Sequence, residues 1–214
     1  MFHTSEYEVV LMEHSVNQIL LRGSLQALPQ LSHVNHGKEF YKFYLEVPRL
    51  SGTVDILPII APLETLQNMD LSGGDMLTVT GQIRSHNHHA DGIRHLMIFV
   101  FAGSITAESG DPINEVLLEG PLCREPSYRR TPLGREICDI MLAVPRAFRR
   151  ADYLPCILWG RTAQEISACH TRDNIRVCGR FQSRTYTKII DGETAERTAY
   201  EISALSADRM DEVI

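Results

Sequence analysis

VNQILLRGSLQALP at residues 16–29 and INEVLLEGPLCREP at residues 113–126 are two versions of one segment. Asn17, Leu20, Gly23, Leu25 and Pro29 fall on Asn114, Leu117, Gly120, Leu122 and Pro126 at a constant offset of 97 residues. The same offset carries Gly37 onto Gly134, Leu45-Glu46-Val47-Pro48-Arg49 onto Leu142-Ala143-Val144-Pro145-Arg146, and Asp55-Ile56-Leu57-Pro58 onto Asp152-Tyr153-Leu154-Pro155. At an offset of 98, GDMLTVTGQIRS (74–85) falls on RDNIRVCGRFQS (172–183). Chance does not sustain one register over some 70 positions. The chain is a duplication, and that decides its organisation before any single element is read.

The second copy predicts strands near 113–124, 135–144, 152–159, 174–186 and 195–206, short and rich in β-branched and large apolar residues. EPSYRRTPLG and a DG pair punctuate them. One helix is expected between the third and fourth strands. Thr162 and Glu165 suggest a capping box there, and Ala163, Ile166 and Cys169 a narrow apolar stripe. In the first copy Pro62 fits a first helical turn ahead of Leu63, Leu66 and Met69. The expectation is an all-β chain of two tandem OB-folds, five-stranded Greek-key barrels each with one short helix between strands 3 and 4. The boundaries read as an N-terminal tail at 1–15, a first barrel at 16–108, a second at 109–208 and a C-terminal tail at 209–214.

Composition agrees with a soluble globular chain: 214 residues, 43% hydrophobic and 22% charged. No stretch reaches the ~20 apolar residues of a membrane span, and the N-terminus lacks a basic, cleavable leader, so a cytoplasmic location is expected. The net charge of −6 is unevenly distributed. Residues 1–110 hold 6 Lys/Arg against 11 Asp/Glu, whereas residues 120–190 hold 13 against 6, and all but one of the 13 are arginine. An acidic protein can therefore present one basic face.

In the second copy, NEVLLEGPLCREPSYRRTPLG is followed by LAVPRAFRRADYLPCILWGRTAQEI and IRVCGRFQSRTY. These linked motifs resemble the bacterial single-stranded DNA-binding protein family over nearly all of 113–206; the first copy is similar only as a diverged relative. The resemblance implies base-stacking aromatics at Phe148, Tyr153, Trp159 and Tyr186. The chemistry is sound without it, since every base has a π-face and a stack on an aromatic is worth roughly 1–3 kcal/mol with little sequence preference. Arg129, Arg130, Arg146, Arg149, Arg150, Arg161, Arg180, Arg184 and Lys188 lie beside those aromatics in sequence and suit phosphate contacts. The first copy has Ser51, Ile56, Pro62 and His88 at the four aromatic positions. It is expected to be structural, with the outward members of Phe40, Tyr41, Phe43, Tyr44, Phe99 and Phe101 covering an interface.

Sequence-nonspecific binding of single-stranded DNA is the function expected, in replication, recombination or repair and close to the nucleoid. RNA stays open as a second ligand, because stacking does not sense a 2′-hydroxyl. The family resemblance implies four barrels per assembly, hence a homodimer of this two-barrel chain. Two other readings stay open: a replication-restart or plasmid accessory protein, and a structural partner whose barrels serve protein contacts. No catalytic residues, metal or cofactor are expected. His86, His88, His89 and His95 flank the Asp91-Gly92 turn and read as a polar hairpin tip. The odd set Cys123, Cys138, Cys156, Cys169 and Cys178 reads as reduced thiols. Asp211, Glu212, Val213 and Ile214 form no spaced acidic tail, so tail-mediated protein partners are not expected.

Overall fold

The first strand of each repeat points alternate residues at a core: β1 (Asn17–Leu25) sends in Ile19 and Leu21, and the strand at the start of the second repeat, β7 (Ile113–Pro121), sends in Val116 and Leu118. A computed structural model describes residues 17–90, 93–190 and 193–210; the expected tail at 1–15 and the Asp211–Ile214 end lie outside these residues. The first repeat continues with β2 (Gln30–Asn35), β3 (Lys38–Pro48), β4 (Val54–Pro62), β5 (Met76–Ala90) and β6 (Ile93–Ala107). The second continues with β8 (Ser127–Arg130), β9 (Glu136–Arg146), β10 (Arg150–Trp159), helix α1 (Gly160–Ile166), β11 (Asn174–Ile190) and β12 (Glu193–Arg209).

Both repeats close into a ring. β1 pairs with β5 and, at Ser24–Glu46 and Leu25–Leu45, with β3; β3 pairs with β4, β4 runs parallel to β6, and β6 pairs with β5. The second repeat repeats this order through β7, β11, β12, β10 and β9, closed by a bridge between Leu122 and Leu142. Closure gives the five long strands of each barrel neighbours on both sides, with β2 and β8 as the remaining edges, and leaves each barrel's centre to apolar side chains such as Leu45, Leu57 and Val100, or Leu142, Leu154 and Phe181.

The glycines shared by the repeats have a common cause. Gly81 and Gly179 sit at matching register shifts in β5 and β11. A Cβ at either would lie 2.2 Å from the Phe101 carbonyl oxygen or 2.3 Å from that of Ser203. Gly23 and Gly120 play the same part where the first strand crosses the third, with backbone oxygens of Glu46 and Ala143 at 2.6 and 2.8 Å. Gly179→Ala therefore forces backbone apart at a bulge, and a loss of roughly 1–3 kcal/mol is expected from urea unfolding.

The barrels join through two devices. β1 pairs antiparallel with β7, from Asn17–Leu118 to Arg22–Ile113, so one sheet runs through both. A reciprocal clasp adds to it. Asp55, 2% exposed, accepts hydrogen bonds from Arg49 (2.7 and 2.6 Å) and, across the interface, from the Ser183 backbone N–H (2.7 Å). Asp152, fully buried, accepts from Arg146 (3.3 Å), from Arg84 (3.1 Å) and from the Ser85 N–H (2.7 Å) of the other barrel. The repeat's matched asparagines do similar work within each barrel: Asn17 bridges both backbone groups of Ile83, and Asn114 those of Phe181.

Four local expectations change. The first repeat has no helix equivalent to α1 among its described residues, only a 3-10 turn at Leu63–Thr65, where the Thr65 hydroxyl bonds back to the Pro62 carbonyl and Asn68 soon turns left-handed (φ 67°). Leu66 and Met69 still pack on the core. Helix α1 starts at Gly160 without a side-chain cap, and Glu165 pairs with Arg161 instead of closing a box with Thr162. Ala163 and Ile166 are its buried face, with Cys169 buried just beyond. Each repeat gains a short strand, β2 or β8, so SYRR is extended and not merely punctuation. β11 and β12 run to 17 residues each, lengthening a hairpin expected to stop near 186, and β12 takes in Arg209, which pairs with Asp173.

Candidate nucleic-acid interface

β9 and β10 place two of the candidate aromatics by alternation. Leu154, Cys156 and Leu158 point into the core, so Tyr153 and Trp159 stand on the outer face, 45% and 40% exposed. Six residues of strand separate them, about 20 Å. Cross-strand register sets Tyr153 opposite Ala143, and Trp159 opposite Ile137 and then Arg129 of β8. Phe148 lies in the three-residue loop between Arg146 and Arg150, which are paired. It is 93% exposed, and both it and Arg149 are left-handed, with φ of 60° and 54°. Non-glycine residues hold that conformation only where their surroundings impose it; here Asp152 ties down Arg146 at the foot of the loop.

Tyr186 stands on β11 opposite Arg197 of β12, 40% exposed, with the Arg184 guanidinium 5.7 Å from its ring centre. It lines a cleft of about 1250 Å³ between the barrels, together with Arg146 and Arg150. The structure thus puts Tyr153, Trp159 and Tyr186 on the outside of one barrel with Phe148 on an adjoining loop, while only Tyr186 of the four enters the cleft.

The arginines divide. Arg129 pairs with Asp139 (2.9 Å), Arg130 with Glu136 (2.7 Å), Arg161 with Glu165 (2.7 Å) and Arg184 with Glu201 (3.6 Å). The hydrogen bond from Arg130, helped by Gln164 and Tyr128, holds the Glu136 carboxyl below the usual carboxylate range. Such a guanidinium must share or leave its carboxylate to meet a phosphate. Arg149 and Arg150 form no ion pair among the described residues. Arg180 buries its Nε without a hydrogen-bond partner, and Arg146 is committed to Asp152. The Lys188 side chain lies outside the described residues.

Sequence reading passed over Tyr128, 41% exposed on β8, and Arg197. A strand assignment to SYRR, and the pairing partner of Tyr186, were the signals available for them. The hairpin histidines pair as His88 opposite His95, and the His89 side chain lies outside the described residues. The thiols carry no disulfide among the described residues, and burial raises Cys138 to about 11. No helix among the described residues is long and apolar enough to cross a membrane.

A family model described as the single-strand binding protein family matches residues 113–210. "Single-stranded DNA-binding protein B" of Bacillus subtilis (strain 168) is 36% identical over 80 residues, which are 34% of this chain and 71% of that protein. "Single-stranded DNA-binding protein 1" of Staphylococcus aureus (strain COL) is 36% identical over 81 residues, 35% of this chain and 48% of that one. Against most such relatives the chain thus spans about half their length. The crystal structure of the wild-type single-stranded DNA binding protein from Thermus aquaticus superposes with a TM-score of 0.76 at 23% identity, covering 92% of this chain and 93% of that one. That likeness extends the shared fold beyond the matched repeat to both halves. The chain belongs to the single-strand binding protein family.

Proposed function

We propose that this chain is a tandem OB-fold protein that binds single-stranded DNA without sequence preference, stacking bases on Phe148, Tyr153, Trp159 and Tyr186 and meeting phosphates with the arginines around them. One observation carries the reading: four aromatics at family motif positions are all solvent-exposed on the one repeat that the family model matches. Buried apolar rings would have served the core; these stand outside it, where flat base faces can stack on them. The chemistry is binding and not turnover. Service in replication, recombination or repair, and assembly as a homodimer presenting four barrels, belong to the same proposal.

The test is a titration with oligo-dT followed by Trp159, the sole tryptophan. Binding should quench its fluorescence, with log K falling linearly in log salt by about 0.7 per neutralised phosphate. Arg149→Ala with Arg150→Ala should flatten that slope by about 0.7 for each phosphate left without its arginine. Unchanged fluorescence at saturating oligo-dT would defeat the site assignment. Oligo-U in the same titration reads the DNA preference.

A further inference from the structure

We propose that the first barrel carries a second base-stacking platform, made by Phe40, Tyr44, Phe99 and Phe101 around Lys42, over which a single strand continues from Tyr186. The inference rests on the single-strand reading above and departs from the expectation that this barrel is only structural.

Register puts these residues on one surface. Phe43, Leu45, Ile59 and Val100 point into the core, so their strand neighbours Lys42, Tyr44, Phe99 and Phe101 point out. Lys42 lies opposite Ile60, and Ile60 opposite Phe101; Phe40 lies one row away, opposite Pro62. The rings already form an extended apolar sheet: Phe40 and Phe101 have centres 6.0 Å apart, and His33 stacks on Phe40 at 4.8 Å and 9°. The Lys42 ammonium sits 5.0 Å from the Tyr44 ring centre.

Charge selects the occupant. The cleft that Tyr186 enters is lined by these four aromatics and by Lys42, Arg84, Arg146, Arg150 and Arg197, with no Asp or Glu among the described residues of its walls, in a chain of net charge −6. Asp152 neutralises Arg84 and Arg146 from beneath. Lys42, Arg150 and Arg197 are left to face a ligand. A second copy docking here about a two-fold axis would bring like charges together with nothing to oppose them. A polyanion with flat apolar faces meets both requirements.

The two barrels divide the task between different strands. At the positions of Phe40, Lys42, Tyr44, Phe99 and Phe101 the second barrel has Ile137, Asp139, Met141, Glu201 and Ser203, two of them carboxylates held by Arg129 and Arg184. Where the second barrel has Tyr153 and Trp159, the first has Ile56 and Pro62. A strand following aromatics would leave the second barrel at Tyr186 and cross onto β3 and β6 of the first.

The experiment uses the full chain with Tyr44→Ser and Phe101→Ser combined, and separately Lys42→Gln, which removes a charge from the surface. Each is titrated with oligo-dT of about 10 nucleotides, within the reach of one barrel, and of about 30. The expected result is short-oligo binding within about twofold of the parent, at least a tenfold loss for the long oligo in the serine variant, and a shallower long-oligo salt slope for Lys42→Gln. Thermal unfolding checks that the serine variant keeps its fold. Unchanged long-oligo affinity and slope would overturn the platform, as would a variant that only shifts a dimer towards monomer in sedimentation. A parent chain that binds neither oligo overturns the single-strand reading and the platform with it; a loss confined to the variants' expected pattern supports both.

Discussion

Replacing Phe148, Tyr153 and Trp159 together by alanine is expected to lower affinity for oligo-dT at least a hundredfold. Each stack contributes roughly 1–3 kcal/mol, and about 1.4 kcal/mol is tenfold in affinity, so three at the low end already reach that loss. The fold should persist, with a loss of stability from the half-covered Tyr153 and Trp159 rings and almost none from Phe148. Phe148 is almost wholly exposed, and Tyr153 and Trp159 stand outside the core. Because the variant lacks its tryptophan, anisotropy of a labelled oligonucleotide is the readout, with thermal unfolding as the control. Affinity within a factor of three of the parent would remove these residues from the interface and leave the matched repeat without a binding face. Substituting Cys123, exposed elsewhere on the same repeat, should change nothing in that titration.

Asp152→Ala should be the most destabilising single change outside the apolar core. It strands Arg84 and Arg146, which are 19% and 30% exposed, and leaves the Ser85 N–H and hydroxyl without their acceptor. Removing one partner of a buried ion pair costs about 3–5 kcal/mol, mostly because the remaining charge is uncompensated. Asp55→Ala breaks the matching arrangement with a single arginine, Arg49, and should cost less. Asp152→Asn keeps one oxygen for the Ser85 N–H and should fall between the parent and Asp152→Ala. Urea-unfolding midpoints rank the three. Equal midpoints for Asp152→Ala and the parent would show that the clasp contributes nothing to stability.

Much of the architecture was legible because a duplication writes each requirement twice. Gly81 with Gly179 marks a bulge, Asn17 with Asn114 a backbone bridge, and the alternation in 40–47 and 137–144 a strand facing one core. What escaped depends on distance along the chain. Asp55 and Ser183 are 128 residues apart and Asp152 and Ser85 are 67 apart, and no periodicity links them. The basic excess of residues 120–190 likewise includes Arg129, Arg130, Arg161 and Arg184, each of which faces a carboxylate brought close by strand or helix geometry that composition does not reveal. The helix beginning at 63 failed for a local reason: a proline start and an apolar spacing were present, but the Thr65 hydroxyl and a left-handed Asn68 ended it after one turn. Of the first repeat's six aromatics only Phe43 is buried in the core, fewer than simple alternation suggests. Their shared cleft with Tyr186 required knowing how the barrels meet.

The clasp also bears on how such a chain can change over time. Ser85 of the first repeat holds the backbone N–H of Tyr153 through its hydroxyl, at 2.8 Å, while Ser183 of the second holds that of Ile56 at 3.4 Å. In a pair of identical chains, one mutation strikes both halves of a reciprocal contact at once, so a bold change in one does its damage twice. Covalent fusion breaks that symmetry. Each serine–aspartate hold can differ from its counterpart, as at Arg84, where the second repeat has Gln182. One repeat can therefore carry Ile56 and Pro62 on β4, where the other has Tyr153 and Trp159, and still brace Tyr153 across the interface.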